Sequence, residues 1–149
     1  PLIPLAADLR NREALPAGRF RLAVSNPPYF APHAGAVAAG ARGDARAELT
    51  ASIDDVFAAA ERLVQWGGRF CLVYRPDRLA ALFAAATAHG LEPKRLRLVQ
   101  HTAQSAPALA LLECRRGGNP GLTVEPPLLL RLDGGESPDV RRAYFRDKE

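Results

Sequence analysis

Residues 25–30 read Ser-Asn-Pro-Pro-Tyr-Phe and follow directly on the apolar run Phe20–Val24. An amide side chain, two prolines and an aromatic ring at the end of a strand make a small set of chemical tools. An amino group conjugated to a ring or a carbonyl is a poor nucleophile, because its lone pair is delocalised. To attack an electrophilic methyl group it should be held with both N–H groups donating to fixed acceptors. The Asn26 side-chain oxygen is one such acceptor, and it stays unprotonated at ordinary pH. The Pro27 carbonyl, in a stiff Pro-Pro turn, is a second. The Tyr29 ring offers a flat face for a planar group to stack on. Together these residues would orient a planar amino group by positioning, with a smaller electrostatic benefit as positive charge develops on nitrogen.

The motif needs elements to hold it. Leu2–Ala7 reads as a short buried strand that ends at Asp8, and Asn11–Gly18 as a loop. Phe20–Ser25 is apolar without clean alternation, as in a central parallel strand covered on both faces. Residues 31–49 are rich in Gly and Ala with no steady period and predict a mobile loop. Ser52 opens a helix: Ser-Ile-Asp-Asp supplies a cap and two acids, and Ile53, Val56, Phe57, Ala60, Leu63 and Val64 form an apolar stripe. Gly67-Gly68 is expected to end this helix, with a strand over Arg69–Tyr74. Pro76 and Asp77 start a second helix that runs to about His89 and stops at Gly90. After Pro93 the pattern changes to successive strands at 94–102, 108–114 and 122–132, which are expected to be antiparallel. The fold class is therefore α/β, with parallel strands first and antiparallel ones later.

Composition sets outer bounds. With 149 residues and 48% apolar content the chain can build one domain with a real core, and no apolar run reaches a membrane span. A net charge of +4 is compatible with a nucleic-acid partner. Cys71 and Cys114 sit inside apolar runs and read as buried thiols of a reducing compartment, the cytoplasm. No ligand spacing links His33, His89 and His101, so no metal is expected. There is no G-x-G-x-x-G, P-loop, nucleophile elbow or zinc pattern. Lys94, Arg95 and Arg97 form one basic cluster and Arg115-Arg116 another, each a candidate for phosphate contacts or simply a solvated face. Arg75 and Arg78 flank Pro76 near a strand's carboxyl end, where crevices form in open α/β sheets.

Asn-Pro-Pro-Tyr at a strand end resembles motif IV of the S-adenosyl-L-methionine-dependent amino methyltransferases, which act on adenine N6, guanine N2 or glutamine amides. The motif does not choose among these substrates. The run of segments is more specific: "GRFRLAVSNPPYF", "ARAEL", "AAERLVQWGGRFCLVYRPDRLAAL", "LEPKRLRLVQH" and "LLECRRGGNPGLTVEPPLLL" follow the order found in bacterial valine-tRNA (adenine-37-N6)-methyltransferases. The resemblance covers nearly the whole chain. It implies a Rossmann-like methyltransferase sheet, S-adenosyl-L-methionine as cofactor and tRNA as substrate, in a cytoplasmic bacterial enzyme. It further implies that Asn26 and Pro27 bind the amino group and that Tyr29 stacks on the adenine. Pro28, Phe30 and Arg46 would complete the substrate side. Asp8 and Leu9, with Asn26, would meet the cofactor. Relatives commonly carry Ala-Arg-His-Glu where this chain has Ala45-Arg46-Ala47-Glu48, so no role is carried over for that His.

The family's strand order, 3-2-1-4-5-7-6, makes Leu2–Ala7 the third strand and Phe20–Ser25 the fourth. The glycine-rich cofactor motif is not in the sequence, which begins at Pro1 and contains no Met. Residues 1–149 are thus expected to be the C-terminal part of a single methyltransferase domain, strands three to seven without the first two. On its own this segment is expected to bind the cofactor poorly, which calorimetric titration reads directly; micromolar binding would contradict it. Other readings of the same residues are a methyltransferase acting on rRNA guanine, DNA adenine or protein glutamine, and a non-catalytic RNA-binding remnant.

Overall fold

A computed structural model describes residues 3–28 and 51–145. Its elements are β1 (Phe20–Ser25), α1 (Ile53–Leu63), β2 (Val64–Tyr74), α2 (Leu79–Ala88), β3 (Leu91–Gln100), β4 (Pro107–Arg116), β5 (Thr123–Leu129), the two-residue strands β6 (Arg131–Leu132) and β7 (Gly135–Glu136), and α3 (Pro138–Ala143). Single 3-10 turns form at Arg12–Ala14 and Pro76–Arg78. Among the described residues no helix is long and apolar enough to cross a membrane.

The five-stranded sheet has the order β1-β2-β4-β3-β5. β1 runs parallel to β2, and β4 is antiparallel to both β2 and β3. If β1 is strand four, the first four members are the 4-5-7-6 half of the expected order. β5 departs from expectation by pairing parallel to β3. The cause is where β4 ends: Arg116 lies opposite Leu91, the first residue of β3. A chain leaving that point and passing β3 can only re-enter on its far side in the direction of β3. Leu2–Ala7, expected as a buried strand, does not pair among the described residues; Ile3 and Leu5 are 83% and 64% exposed. In the expected order two strands separate it from β1, and among the described residues nothing pairs with the outer edge of β1. Leu22 and Val24 on β1 are exposed accordingly.

Helix α1 begins where the cap predicts. The Asp55 N–H donates to Ser52 Oγ at 3.2 Å and the Ser52 N–H to Asp55 Oδ2 at 2.7 Å, a closed capping box worth about 1 kcal/mol. Val56, Phe57 and Ala60 are buried as the stripe requires. The helix stops before the glycines, however, and β2 starts at Val64 rather than Arg69. Phe20 pairs with Val64, yet Leu22 already pairs with Arg69, so the residues between them form a bulge. The glycines serve that bulge rather than a helix stop. Gly67 has φ +75°, and a Cβ on Gly68 would lie 2.6 Å from Val64 Cγ1. Arg116 fixes the junction by donating to the Val64 carbonyl at 2.6 Å and to Glu61 at 2.6 Å. Helix α2 begins at Leu79, after a 3-10 turn over Pro76–Arg78 rather than at Pro76 itself, and stops at Ala88 ahead of Gly90, whose φ is +63°. His89 Nε2 lies 2.8 Å from Asp54 Oδ1, tying the end of α2 to the start of α1.

Both helices contribute to one core. Phe57 and Phe70 meet edge to face with ring centroids 5.3 Å apart, among Leu72, Leu82, Leu91, Leu112 and Cys114. The Cys114 thiol is fully enclosed, and burial pushes its pKa up to about 12. Cys71 corrects its prediction: its neighbours along β2, Phe70 and Leu72, belong to the core, while it points to the other face and is only half-buried beside Glu113. Both cysteines are free thiols. That other face carries an ion-pair ladder, Arg95 to Glu125 at 2.6 Å and to Glu113 at 3.3 Å, with Arg69 3.9 Å from Glu113.

Candidate active site at the carboxyl edge of the sheet

The strand directions put one set of ends together. β1 and β2 are parallel, β4 reverses, and β3 reverses again with β5 parallel to it. The carboxyl ends of β1, β2, β3 and β5 therefore share one edge, where ligands bind in open α/β sheets. Ser25 pairs with Leu72, so β2 continues through Val73 and Tyr74 after β1 has ended. The chain leaves β1 in that notch. Pro27 is buried and anchors the turn, while Asn26 and Pro28 on either side of it are exposed. A proline suits this place because it offers no N–H to a ladder that has ended. Tyr29, Phe30, Arg46 and the whole of the loop predicted over 31–49 lie outside the described residues.

Asp8 and Leu9 sit in an exposed turn rather than at the end of a paired strand. The Arg10 N–H donates to Asp8 Oδ1 at 2.9 Å, Arg10 Nε to the same oxygen at 3.1 Å, and Arg10 Nη2 to Oδ2 at 2.7 Å. The Asn11 N–H closes the turn on the Asp8 carbonyl at 3.0 Å. These hydrogen bonds from Arg10 lower the carboxyl pKa to about 2. The depressed value sets the sign: whatever Asp8 adds to stability is fully present above its unfolded pKa of about 3.9 and is lost as pH falls toward 2. In Arg10→Ala the Asp8 carboxyl should titrate back toward the ordinary aspartate range, read by NMR of its side-chain carbon. No movement would mean that Arg10 is not what holds it down.

Within the basic clusters, Lys94, Arg95, Arg97 and Arg116 are not the free charges that the sequence suggests. Arg95 is held by Glu113 and Glu125, and Arg97 by Asp139 and the Pro126 carbonyl. Lys94 donates to the Asn119 carbonyl at 3.0 Å, and Arg116 is taken by Glu61 and Val64. Arg75 pairs with Asp77 at 2.7 Å. Acids far along the chain supply most of these partners, so spacing alone gives no sign of them. Among the described residues there is no group of acids, histidines and cysteines that could hold a metal ion.

No family model matches the chain. Its fold aligns with the solved structure of a predicted O-methyltransferase from Agrobacterium tumefaciens at a TM-score of 0.72 and 23% identity, covering 91% of this chain and 59% of that one. A candidate DNA modification methylase from Thermus thermophilus, solved with S-adenosyl-L-methionine, aligns at a TM-score of 0.53 and 18% identity over 75% of this chain and 54% of that one. The fold is therefore that of the Rossmann-like methyltransferases.

Sequence narrows the class further. The chain is 32% identical over 137 residues to the tRNA1(Val) (adenine(37)-N6)-methyltransferase of Serratia proteamaculans, covering 92% of this chain and 52% of that protein. It is 34% identical over 146 residues to the protein of the same name from Dickeya chrysanthemi, covering 95% of this chain and 57% of that protein. The resemblance to the valine-tRNA adenine-N6 methyltransferases thus extends over nearly the whole chain, and the chain spans about half the length of the curated relatives it matches.

Proposed function

We propose that this chain supplies the amino-substrate side of an S-adenosyl-L-methionine-dependent enzyme that methylates adenine N6 in tRNA, at position 37 beside the anticodon. The observation that carries the reading is Asn26-Pro27-Pro28 at the carboxyl end of β1, in a methyltransferase fold and in a chain one-third identical to enzymes of that name. The Asn26 amide oxygen and the Pro27 carbonyl accept the two N–H groups of the adenine amine, and Tyr29 stacks on the ring. Held this way, the nitrogen presents its lone pair along one direction. Pro28, Phe30 and Arg46 border the substrate. The bound cofactor supplies an electrophilic methyl group.

The described residues fit the cofactor at two points. Asn26 is exposed at the strand end. Asp8, although held by Arg10, is half-exposed and ionised, and a carboxylate has lone pairs left for a further donor. We infer that Asp8 and Leu9 border the cofactor's adenine.

The test is methyl transfer by the full-length protein to total tRNA from a strain lacking the gene, followed by nucleoside mass spectrometry, with rRNA, DNA and a release-factor peptide as competitors. N6-methyladenosine in one tRNA is the expected product. Methyl transfer to guanine, to DNA or to the peptide would replace this reading with another amino substrate, and no transfer to any of them would leave a non-catalytic RNA binder.

A further inference from the structure

A second site lies on the same carboxyl edge, beyond the end of β3. A cavity of about 420 Å3 is lined there by His101, Thr102, Gln104, Arg131 and Asp133, among others. Its walls are built, not incidental. Ser105 locks the loop after β3: its Oγ accepts from the Thr102 N–H at 2.8 Å and donates to the Thr102 carbonyl at 2.8 Å, while its own carbonyl accepts from Gln100 Nε2 at 2.9 Å. The chain leaving β5 is zipped to this loop by Leu130 N–H to the Gln100 carbonyl at 2.8 Å and Arg131 N–H to the His101 carbonyl at 2.9 Å. The opposite wall is the β6–β7 hairpin. Its turn, Asp133-Gly134, has positive φ at both residues, as a tight two-residue hairpin requires. Ser137, buried, staples the hairpin's end to the Leu129 and Leu130 carbonyls.

The lining is unlike the neutralised basic clusters. Among the described residues neither Arg131 nor Asp133 is in an ion pair, and His101, Arg131 and Asp133 are all exposed. An imidazole ring and a guanidinium plane can stack on a base, and a guanidinium beside a carboxylate and an amide can read the donors and acceptors of a base edge. The carboxylate argues against a site for phosphate alone. The strand order puts β1 and β3 three strand spacings apart, about 14 Å along the edge. A few nucleotides of single strand bridge that distance.

We propose that this cleft holds one unstacked base of the RNA, a neighbour of the adenine presented to Asn26, with His101 stacking on it and Arg131 and Asp133 bonding to its edge. The inference rests on the proposed function, since it assigns a second subsite to the same RNA.

The experiment uses the full-length protein and an anticodon stem-loop RNA, intact or with single abasic positions flanking the target adenine. The double variant His101→Ala, Arg131→Ala should raise KM for the intact stem-loop about ten- to hundredfold, with a far smaller change in kcat. One abasic position should produce a similar loss in the unsubstituted protein and no further loss in the double variant. Asp133→Asn should alter which base is preferred at that position. An unchanged KM, or abasic and protein losses that multiply, would overturn the proposal. If the unsubstituted protein transfers no methyl to RNA, the functional reading fails, and the cleft is judged by stem-loop binding alone. Equal affinities of the two proteins then overturn it as well.

Discussion

Asn26→Ala in the full-length protein should lower kcat for methyl transfer by about a hundredfold or more, while the affinity for S-adenosyl-L-methionine changes by only a few-fold. The size follows from what the side chain is proposed to do. One fixed acceptor aligned with a reacting group is worth on the order of 10²–10³ in rate when removed, as for a single oxyanion-hole donor. Misplacement of a reacting atom by 1 Å costs about as much. The asymmetry between kcat and cofactor affinity follows because the lost bond is made to the substrate amine. The fold should not suffer: Asn26 is exposed, and the buried Pro27 anchors the turn. Thermal unfolding should therefore stay within a few degrees of the unsubstituted protein. Single-turnover kinetics and a cofactor titration check the split. Unchanged turnover would remove Asn26 from the chemistry, and equal losses in turnover and cofactor affinity would make it a cofactor ligand first.

Phe57→Ala should destabilise the fold by about 3–5 kcal/mol. Phe57 has no exposed surface and meets the ring of Phe70 edge to face at 5.3 Å and 83°. It is where α1 is pinned to β2, so the cavity would open between helix and sheet rather than at a margin that can collapse. Against a total stability of about 5–15 kcal/mol for a domain, such a loss is close to unfolding. Urea titration followed by circular dichroism checks it. If the alanine variant does not fold, Phe57→Leu keeps most of the apolar volume and should still show a measurable shift in midpoint. A loss below about 1 kcal/mol in the alanine variant would mean that α1 does not carry this core.

Much of this is legible in the amino-acid sequence. The helix stripe of Val56, Phe57 and Ala60, the cap at Ser52 and the stop at Gly90 are local signals, fixed by residues within a turn or two of one another. The strand-end position of Asn26 was legible for the same reason, since an apolar run ending in Pro-Pro has to leave the ladder. What the sequence could not show depends on distant partners. Gly67-Gly68 looks like a helix stop until β1 arrives beside it and makes it a bulge. The direction of β5 is set by where β4 delivers the chain, and Arg95 and Arg97 look like open charges until Glu113, Glu125 and Asp139 fold against them. The pairing of Asp8 with Arg10 is local, but an acid followed by an arginine two residues later is too common a pattern to single out. The cleft at His101 and Arg131 is hidden for a further reason: its two walls come from segments thirty residues apart, zipped together by backbone hydrogen bonds that carry no side-chain signal.

The place of β4 in the sheet has a consequence for how the molecule is made. β4 lies between β2 and β3, although it follows both in the chain. A growing polypeptide that has reached Gln100 holds a finished β3 with nothing to pair it to β2. Only when the chain to Arg116 has emerged can β4 enter, and it then recruits β3 on one side as it closes on β2 on the other. Synthesis therefore passes through a stage in which β3 stands without a strand beside it. A chain that has cleared the ribosome only as far as residues 100 to 107 would display that unpaired edge to whatever chaperone or aggregate is near.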